Sequence, residues 1–179
     1  MALRKVVVKG DPILGRRSRE IKDITPRIRQ LAEDMWETMY DAQGVGLAAP
    51  QVGVLRRLAV IDVTPIPDDD EEDEEGEEGE EKKPEPEIIK YVLINPEILE
   101  VSDEKIKTTE GCLSVPGKIG VVERPVRVKV RAMDLEGKYF EVEGDGMLAK
   151  ALLHELDHLE GTLYTDIAES IEEVENPNE

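Results

Sequence analysis

The chain has 179 residues, 39% of them apolar, and a formal net charge of −19. This length favours a single domain with one core, and no run approaches the roughly 18 apolar residues of a membrane span. Residues 68–81 hold 12 of the acidic side chains, which leaves −7 for the rest, an ordinary charge for a soluble domain. Neither part offers the basic face that nucleic-acid phosphates require, so we expect neither a nucleic-acid nor a membrane partner.

The N-terminus and the cysteine content both point to the cytoplasm. The short apolar run at the start ends at residues 9–12 (KGDP) without a cleavage-like site, so we expect no signal peptide. Cys112 is the sole cysteine and cannot form an internal disulfide, which fits a reducing compartment.

The first predicted element is an amphipathic helix. Thr25 is a typical N-cap and Pro26 a typical first helical residue. Apolar residues then recur on one helical face, at Ile28, Leu31, Met35 and Met39. Gly44 and Gly46 end this pattern, and residues 44–53 (GVGLAAPQVG) are predicted to form a loop of small residues.

A strand is predicted at residues 57–63, before a long acidic segment. Residues 65–87 combine the acidic run with proline-rich flanks, cannot bury apolar area, and are predicted to be disordered. Their composition favours a solvated insertion in a surface loop over an interaction tail for a basic partner. Further strands are predicted at residues 88–94, 106–109, 126–130 and 139–142.

The last predicted element is a helix from about Asp145 to Glu160, ended by Gly161. With the earlier helix and the mostly antiparallel strands, it predicts an α+β domain. This C-terminal helix carries the residues 154–158 (HELDH), which match the H-E-x-x-H pattern of zinc peptidases.

Both histidines of the chain lie in this motif. His154 and His158 are four residues apart on one helical face, so they can bind one metal ion together. Glu155 follows the first ligand by about 100° around the helix and can reach a water at the ion. A catalytic site of this kind needs a third protein ligand.

Cys112 is the best candidate for the third ligand. Tyr164 stands where the extended pattern H-E-x-x-H-x-x-G-x-x-H has its third histidine. A downstream glutamate would come from a short polar tail with little room for a supporting helix, where the candidates are Glu169, Glu172, Glu173 and Glu175. Cys112, after Glu110 and Gly111, completes a Cys-His-His set with one open position.

Three stretches together resemble the signature motifs of peptide deformylases, in the same order. They are residues 44–51 (GVGLAAPQ), 110–114 (EGCLS) and 154–158 (HELDH), and residues 10–18 and 127–137 are also similar to that family. The resemblance implies an α+β fold with antiparallel sheets packed around a C-terminal metal-binding helix and an additional N-terminal helix. It implies a bacterial enzyme that removes the formyl group of N-terminal formyl-methionine and releases formate.

The resemblance also implies the roles of the reacting groups. Cys112, His154 and His158 would hold one divalent ion, Fe²⁺ in vivo, although such a site also accepts Zn²⁺, Ni²⁺ or Co²⁺. Glu155 would take a proton from the attacking water and deliver it to the leaving amine. The Gln51 side chain and the Leu113 backbone N–H would stabilise the oxyanion.

The remaining expectations concern the substrate and its surroundings. A peptide is expected to pair as an added strand beside Gly44, Val45 and Gly46, with Ala151 leaving space for the methionine side chain. Glu110 and Arg124 are expected to form a supporting ion pair, for which an exposed surface pair is the alternative. The partners are formyl-methionyl nascent peptides, met at the ribosome exit by a monomer.

One position departs from the family pattern, and two rival interpretations stay open. Leu153 precedes the first histidine, where the family usually has glutamine, so the pocket or its surroundings are expected to differ there. One rival is a metallopeptidase whose third ligand is not Cys112. The other is a non-enzymatic interaction protein that works through residues 68–81.

Overall fold

The computed structural model describes residues 2–66 and 84–175. These ranges contain three α-helices, α1 (Pro26–Asp41), α2 (Gly146–Leu159) and α3 (Tyr164–Ile167), and two short 3₁₀-helices, Pro12–Gly15 and Ala49–Val52. The strands are β1 (Gly46–Ala48), β2 (Leu58–Asp62), β3 (Lys90–Val101), β4 (Lys105–Cys112), β5 (Val115–Pro125), β6 (Arg127–Met133), β7 (Tyr139–Asp145) and β8 (Ser170–Glu173). The predicted α+β class with antiparallel sheets is confirmed.

Two antiparallel sheets make up the strand framework. The first has the order β1-β2-β3-β6-β7 and the second the order β4-β5-β8. β4 and β5 form a hairpin in which Cys112 pairs with Val115 across a tight turn. The cysteine therefore lies at the tip of a short, rigid connection.

Helix α1 covers one face of the five-stranded sheet. The Thr25 hydroxyl accepts a hydrogen bond from the Ile28 N–H and caps the helix, as its sequence position predicts. The apolar face of α1 is buried against the side chains that β2 and β3 direct to this side; this cluster includes Leu31, Met35, Met39, Leu58, Val60 and Ile94.

Helix α2 packs on the opposite face of the same sheet. Its Leu152, Leu153 and Leu156 are buried in a cluster with Ile61 and Leu93. Gly161 follows the helix with φ +81°, and a Cβ there would lie 2.7 Å from the backbone of Gly15. A glycine is thus required both to end α2 and to allow this close approach.

The predicted strand at 88–94 is too short, since β3 continues to Val101, and the predicted elements differ from the observed ones in three further places. Residues 46–48, predicted as loop, form β1 because they pair with β2. β5 escaped prediction because glycines and prolines interrupt it. The tail after Ile167 contains β8, whose polar residues make an edge strand on β5; a strand held by backbone pairing leaves little hydrophobic signal.

Two further expectations concern the acidic segment and the membrane. The predicted disorder at 65–87 falls mainly on residues 67–83, which lie outside the described residues. In the part of the chain that the structure describes, no helix has both the length and the apolar character that a membrane crossing requires.

Candidate active site

A cavity of about 320 Å³ lies where β1, the β4–β5 turn and α2 meet. Its wall contains residues from each of the three predicted motifs, among them Gly46, Gln51, Cys112, His154 and Glu155. Three segments that are far apart in the sequence are therefore brought to one place by the packing of α2 between β1 and β4.

The three predicted metal ligands converge beside this cavity. The Nε2 atom of His158 lies 3.3 Å from the Cys112 sulfur and 3.2 Å from the Nε2 atom of His154. All three ligand atoms lie within 4.8 Å of one another. His158 is fully buried, and the other two ligands are partly exposed.

This geometry and charge fit a divalent cation. A tetrahedral ion at about 2.3 Å from sulfur and about 2.05 Å from nitrogen separates S from N by about 3.6 Å and N from N by about 3.4 Å, close to the distances here. Burial lowers the pKa of both histidines, but at His154 hydrogen bonds to Cys112 and Glu110 outweigh it and raise the pKa. The surroundings therefore favour positive charge at this position.

A buried ion pair orients His154. The Arg124 Nε and Nη2 atoms both donate to Glu110 at 2.8 Å, and Glu110 Oε1 accepts from the His154 Nδ1 atom at 2.9 Å. Holding the proton on Nδ1 leaves Nε2 free to bind a metal. Burial raises the pKa of Glu110, but the bonds from Arg124 and His154 outweigh it and hold it at about 2. The pair is buried, in contrast to the exposed alternative.

Glu155 lies on the cavity side of the histidines. It is buried, and its Oε2 atom has no hydrogen-bond partner among the described residues. Burial raises its pKa to about 7, with a further contribution from the nearby carboxylates of Asp157 and Glu110. A carboxyl group in this setting is suited to proton transfer at neutral pH.

Gly46 leaves the space that the Glu155 carboxyl group occupies. A Cβ at position 46 would overlap Glu155 Oε1 and lie 2.9 Å from its Cδ atom. We expect Gly46→Ala to displace the carboxyl group and lower kcat/KM for a formyl-methionyl peptide about 10²-fold, because catalysis is sensitive to ångström-scale misplacement.

Gly15→Ala is the matched control for this substitution, since a Cβ there meets no atom within 4 Å. Thermal unfolding of both variants separates a local effect from a loss of fold. Normal turnover by a folded Gly46→Ala protein would contradict the proposed fit between Gly46 and Glu155.

Both polar atoms of the Gln51 side-chain amide are in contact with neighbouring residues. Its Oε1 atom accepts from the Ala48 N–H at 2.9 Å, and its Nε2 atom lies 3.1 Å from Ser114 Oγ and 3.5 Å from the Cys112 sulfur. The amide N–H₂ group therefore points towards the metal ligands. Leu113 follows Cys112 in the turn, lines the cavity, and packs its side chain over Gly44.

The residues predicted to bind the peptide also line the cavity. Gly44, Val45 and Gly46 form one wall, and Ala151 on α2 forms part of the other. Leu153 does not line it; it is buried in the core beneath α2. Of the two expectations for Leu153, this position favours a difference in the packing around the site over one in the pocket wall.

In the described structure, the alternative third ligands do not complete the metal-ligand cluster. Tyr164 stacks on the ring of His154, with ring centroids 6.2 Å apart, and so supports this ligand from the side. Glu169 pairs with Lys107, and Glu172 and Glu173 are exposed in β8. Within residues 2–66 and 84–175, the metal-ligand geometry is met by Cys112, His154 and His158 alone.

Sequence reasoning missed two residues of this site. Asp157 accepts a 2.6 Å hydrogen bond from Arg124 Nη1 and fixes the ion pair to α2. Lys150 lines the cavity and donates to the Thr109 carbonyl oxygen at 2.7 Å. Asp157 lies three residues after His154 and Lys150 four residues before it, so both share its face of the helix. This spacing is the sequence signal that could have identified them.

Comparison with known proteins agrees with this geometry. The family model for polypeptide deformylase matches residues 3–174. The chain belongs to the peptide deformylase family. It is 49% identical to the peptide deformylase of Lachnoclostridium phytofermentans over 166 residues, which cover 93% of this chain and 89% of that one.

Solved structures of peptide deformylases show the same fold. The Thermotoga maritima peptide deformylase superposes with a TM-score of 0.79 at 35% identity, covering 95% of this chain and 100% of that one. A class I type b peptide deformylase from Acinetobacter baumannii, solved with Met-Ala-Ser bound, gives 0.79 at 34% identity, covering 93% and 98%.

Family membership decides between the rival interpretations. This peptide deformylase is a metal-dependent hydrolase that removes the formyl group from the N-terminal methionine of nascent polypeptides. The interpretation as a non-enzymatic interaction protein is therefore wrong, and the interpretation as a metallopeptidase with another third ligand finds no support.

Proposed function

We propose that Cys112, His154 and His158 hold the catalytic ion of this deformylase, that the ion in vivo is Fe²⁺, and that Glu155 performs the proton transfers. The observation that carries this proposal is the convergence of the three ligand atoms within 4.8 Å beside a buried carboxyl group. A soft thiolate with two imidazoles suits Fe²⁺, Zn²⁺, Co²⁺ and Ni²⁺ alike, so availability in the cell selects the ion.

A divalent cation in this ligand set supplies Lewis acidity, which makes a water nucleophilic at neutral pH. Glu155 accepts the proton of that water, since it lines the cavity and its Oε2 atom has no hydrogen-bond partner among the described residues. The same carboxyl group then delivers the proton to the nitrogen of methionine as the C–N bond to the formyl carbon breaks. Formate and a free amine are the products.

The oxyanion formed on attack requires hydrogen-bond donors that are in place beforehand. The Gln51 amide is fixed by Ala48 and Ser114, and the N–H that faces the Cys112 sulfur at the long distance of 3.5 Å is the one that donates to the oxyanion. The Leu113 backbone N–H, in the turn next to Cys112, is the second donor. One such donor typically contributes a factor of about 10²–10³ to the rate.

The peptide backbone is proposed to bind between two strand edges. In the described part of the chain, β1 pairs only with β2 and β4 pairs only with β5, and each ends its sheet beside the cavity. An extended peptide adds to such edges through backbone hydrogen bonds, which tolerate many sequences. The Met-Ala-Ser held by the Acinetobacter enzyme supports a peptide that begins with methionine in this cleft.

The acidic segment is proposed to be an insertion in a single catalytic domain. Val63 N–H donates to the Ile89 carbonyl, and Ile89 N–H donates to Thr64 Oγ1, both at 2.9 Å, so the two ends of the insertion are joined. The residues at these ends do not themselves line the cavity, although Val45 of its wall accepts a 2.8 Å hydrogen bond from the Asp62 N–H. We also propose that the enzyme is a cytoplasmic monomer that meets nascent chains at the ribosome exit.

Formate release and metal content, measured on anaerobically purified protein, test this proposal. We expect about one Fe²⁺ per chain and turnover of formyl-Met-Ala-Ser, with loss of activity on exposure to air and recovery with Ni²⁺ or Co²⁺. A variant that lacks residues 68–81 should show the same kcat/KM. Turnover without any bound metal would contradict the assigned ligands, and loss of activity in the deletion variant would contradict the placement of the insertion.

A further inference from the structure

The cavity wall contains one cationic side chain that the mechanism does not use. Met147, Lys150, Ala151 and His154 lie on one face of α2 and all line the cavity. Lys150 is the one lysine or arginine among the described residues of this wall. Its aliphatic stem can line an apolar pocket while its ammonium group stays at the rim.

The position of the ammonium group is fixed by β4. Lys150 Nζ donates to the Thr109 carbonyl oxygen at 2.7 Å. An ammonium group has three donors, so this bond leaves two for another acceptor. Glu110, a carboxylate of the wall, is engaged by Arg124 and His154 and does not neutralise Lys150.

This position lies on the path of the peptide. Under the proposed function the formyl group lies beside Cys112, and a peptide added to the free edge of β4 would leave the site past Gly111 and then Thr109. Two residues of a strand span about 6.8 Å. The residues that follow methionine therefore pass the Lys150 ammonium group.

We propose that Lys150 is a specificity-determining residue that favours substrates with an acidic side chain directly after the formyl-methionine. The proposal rests on the proposed placement of the peptide between β1 and β4. A carboxylate at this position completes the hydrogen bonding of the ammonium group, whereas a lysine there is repelled by it. Because the rim is open to solvent, the preference is modest and weakens with salt.

The test compares kcat/KM for formyl-Met-Glu-Ser and formyl-Met-Gln-Ser, two substrates that differ in charge but little in shape. We expect Lys150→Met to lower the Glu/Gln preference about two- to fivefold relative to the wild-type enzyme at low salt. The net negative charge of the protein affects the wild-type and Lys150→Met enzymes alike. The change in the Glu/Gln ratio of kcat/KM between them therefore measures the effect of the Lys150 charge. Lys150→Glu should shift the preference towards formyl-Met-Lys-Ser.

Lys138→Met is the matched control, since it removes the same charge from an exposed turn outside the cavity wall. It should leave the Glu/Gln preference unchanged. The same ratio in the wild-type and Lys150→Met enzymes would overturn the proposal. Failure of the proposed function itself would look different, because the wild-type enzyme would then turn over none of the formyl peptides.

Discussion

Replacing Glu155 by glutamine is expected to abolish deformylation while leaving the metal bound. The amide keeps the size of the side chain but can neither accept the proton of the attacking water nor deliver one to the leaving amine. General acid–base groups contribute about 10²–10⁴-fold to rate, and kcat/KM for formyl-Met-Ala-Ser should fall by this factor. Metal content should stay at the wild-type value, because the three ligand atoms do not include Glu155.

Two controls separate the loss of proton transfer from a loss of fold and from a general effect of charge. Glu155 is buried, so thermal unfolding of the variant must show that the fold survives the buried amide. Glu169→Gln removes the same charge from an exposed pair with Lys107 and should retain normal turnover. A folded, metal-loaded Glu155→Gln enzyme with near-normal turnover would show that another group moves the proton.

The helices and the three candidate metal ligands were predictable from local sequence. Thr25 and Gly161 mark helix ends through interactions within a few residues, and His154 and His158 share a helical face by spacing alone. Cys112 could be chosen as the third ligand because it is the sole cysteine of the chain and both histidines already lie in the motif. Each of these features depends on chemistry that the neighbouring residues determine.

The contacts around the candidate ligands depend on tertiary packing, so they were harder to predict from the sequence. The bond from His154 to Glu110 and the link from Arg124 to Asp157 join β4, β5 and α2, so they appear only when the sheets are assembled. The cleft between β1 and β4 follows from the strand order of two sheets. Pairing of β8 likewise reflects an available edge on β5, since its own sequence is polar.

Removing the Cys112 sulfur is expected to abolish both metal binding and activity. Cys112→Ala deletes one of three protein ligands and leaves two imidazoles, which hold a divalent ion far more weakly. Loss of an outer partner of a metal ligand typically costs about 10–100-fold in affinity, and loss of the ligand itself should exceed that. Activity at stoichiometric metal should therefore disappear.

Metal content after anaerobic dialysis against a graded series of chelator concentrations measures this loss directly, with circular dichroism as the test of fold. Ile106→Ala, an exposed change in the same strand and outside the cavity wall, should keep both metal and turnover. Cys112→Ser should bind metal weakly, because its hydroxyl is a harder and poorer donor than a thiolate. A peptidase-like site with its third ligand elsewhere would keep its ion in Cys112→Ala. Retention of metal in that variant would thus remove sulfur from the coordination sphere and require another ligand on the open side of the two histidines.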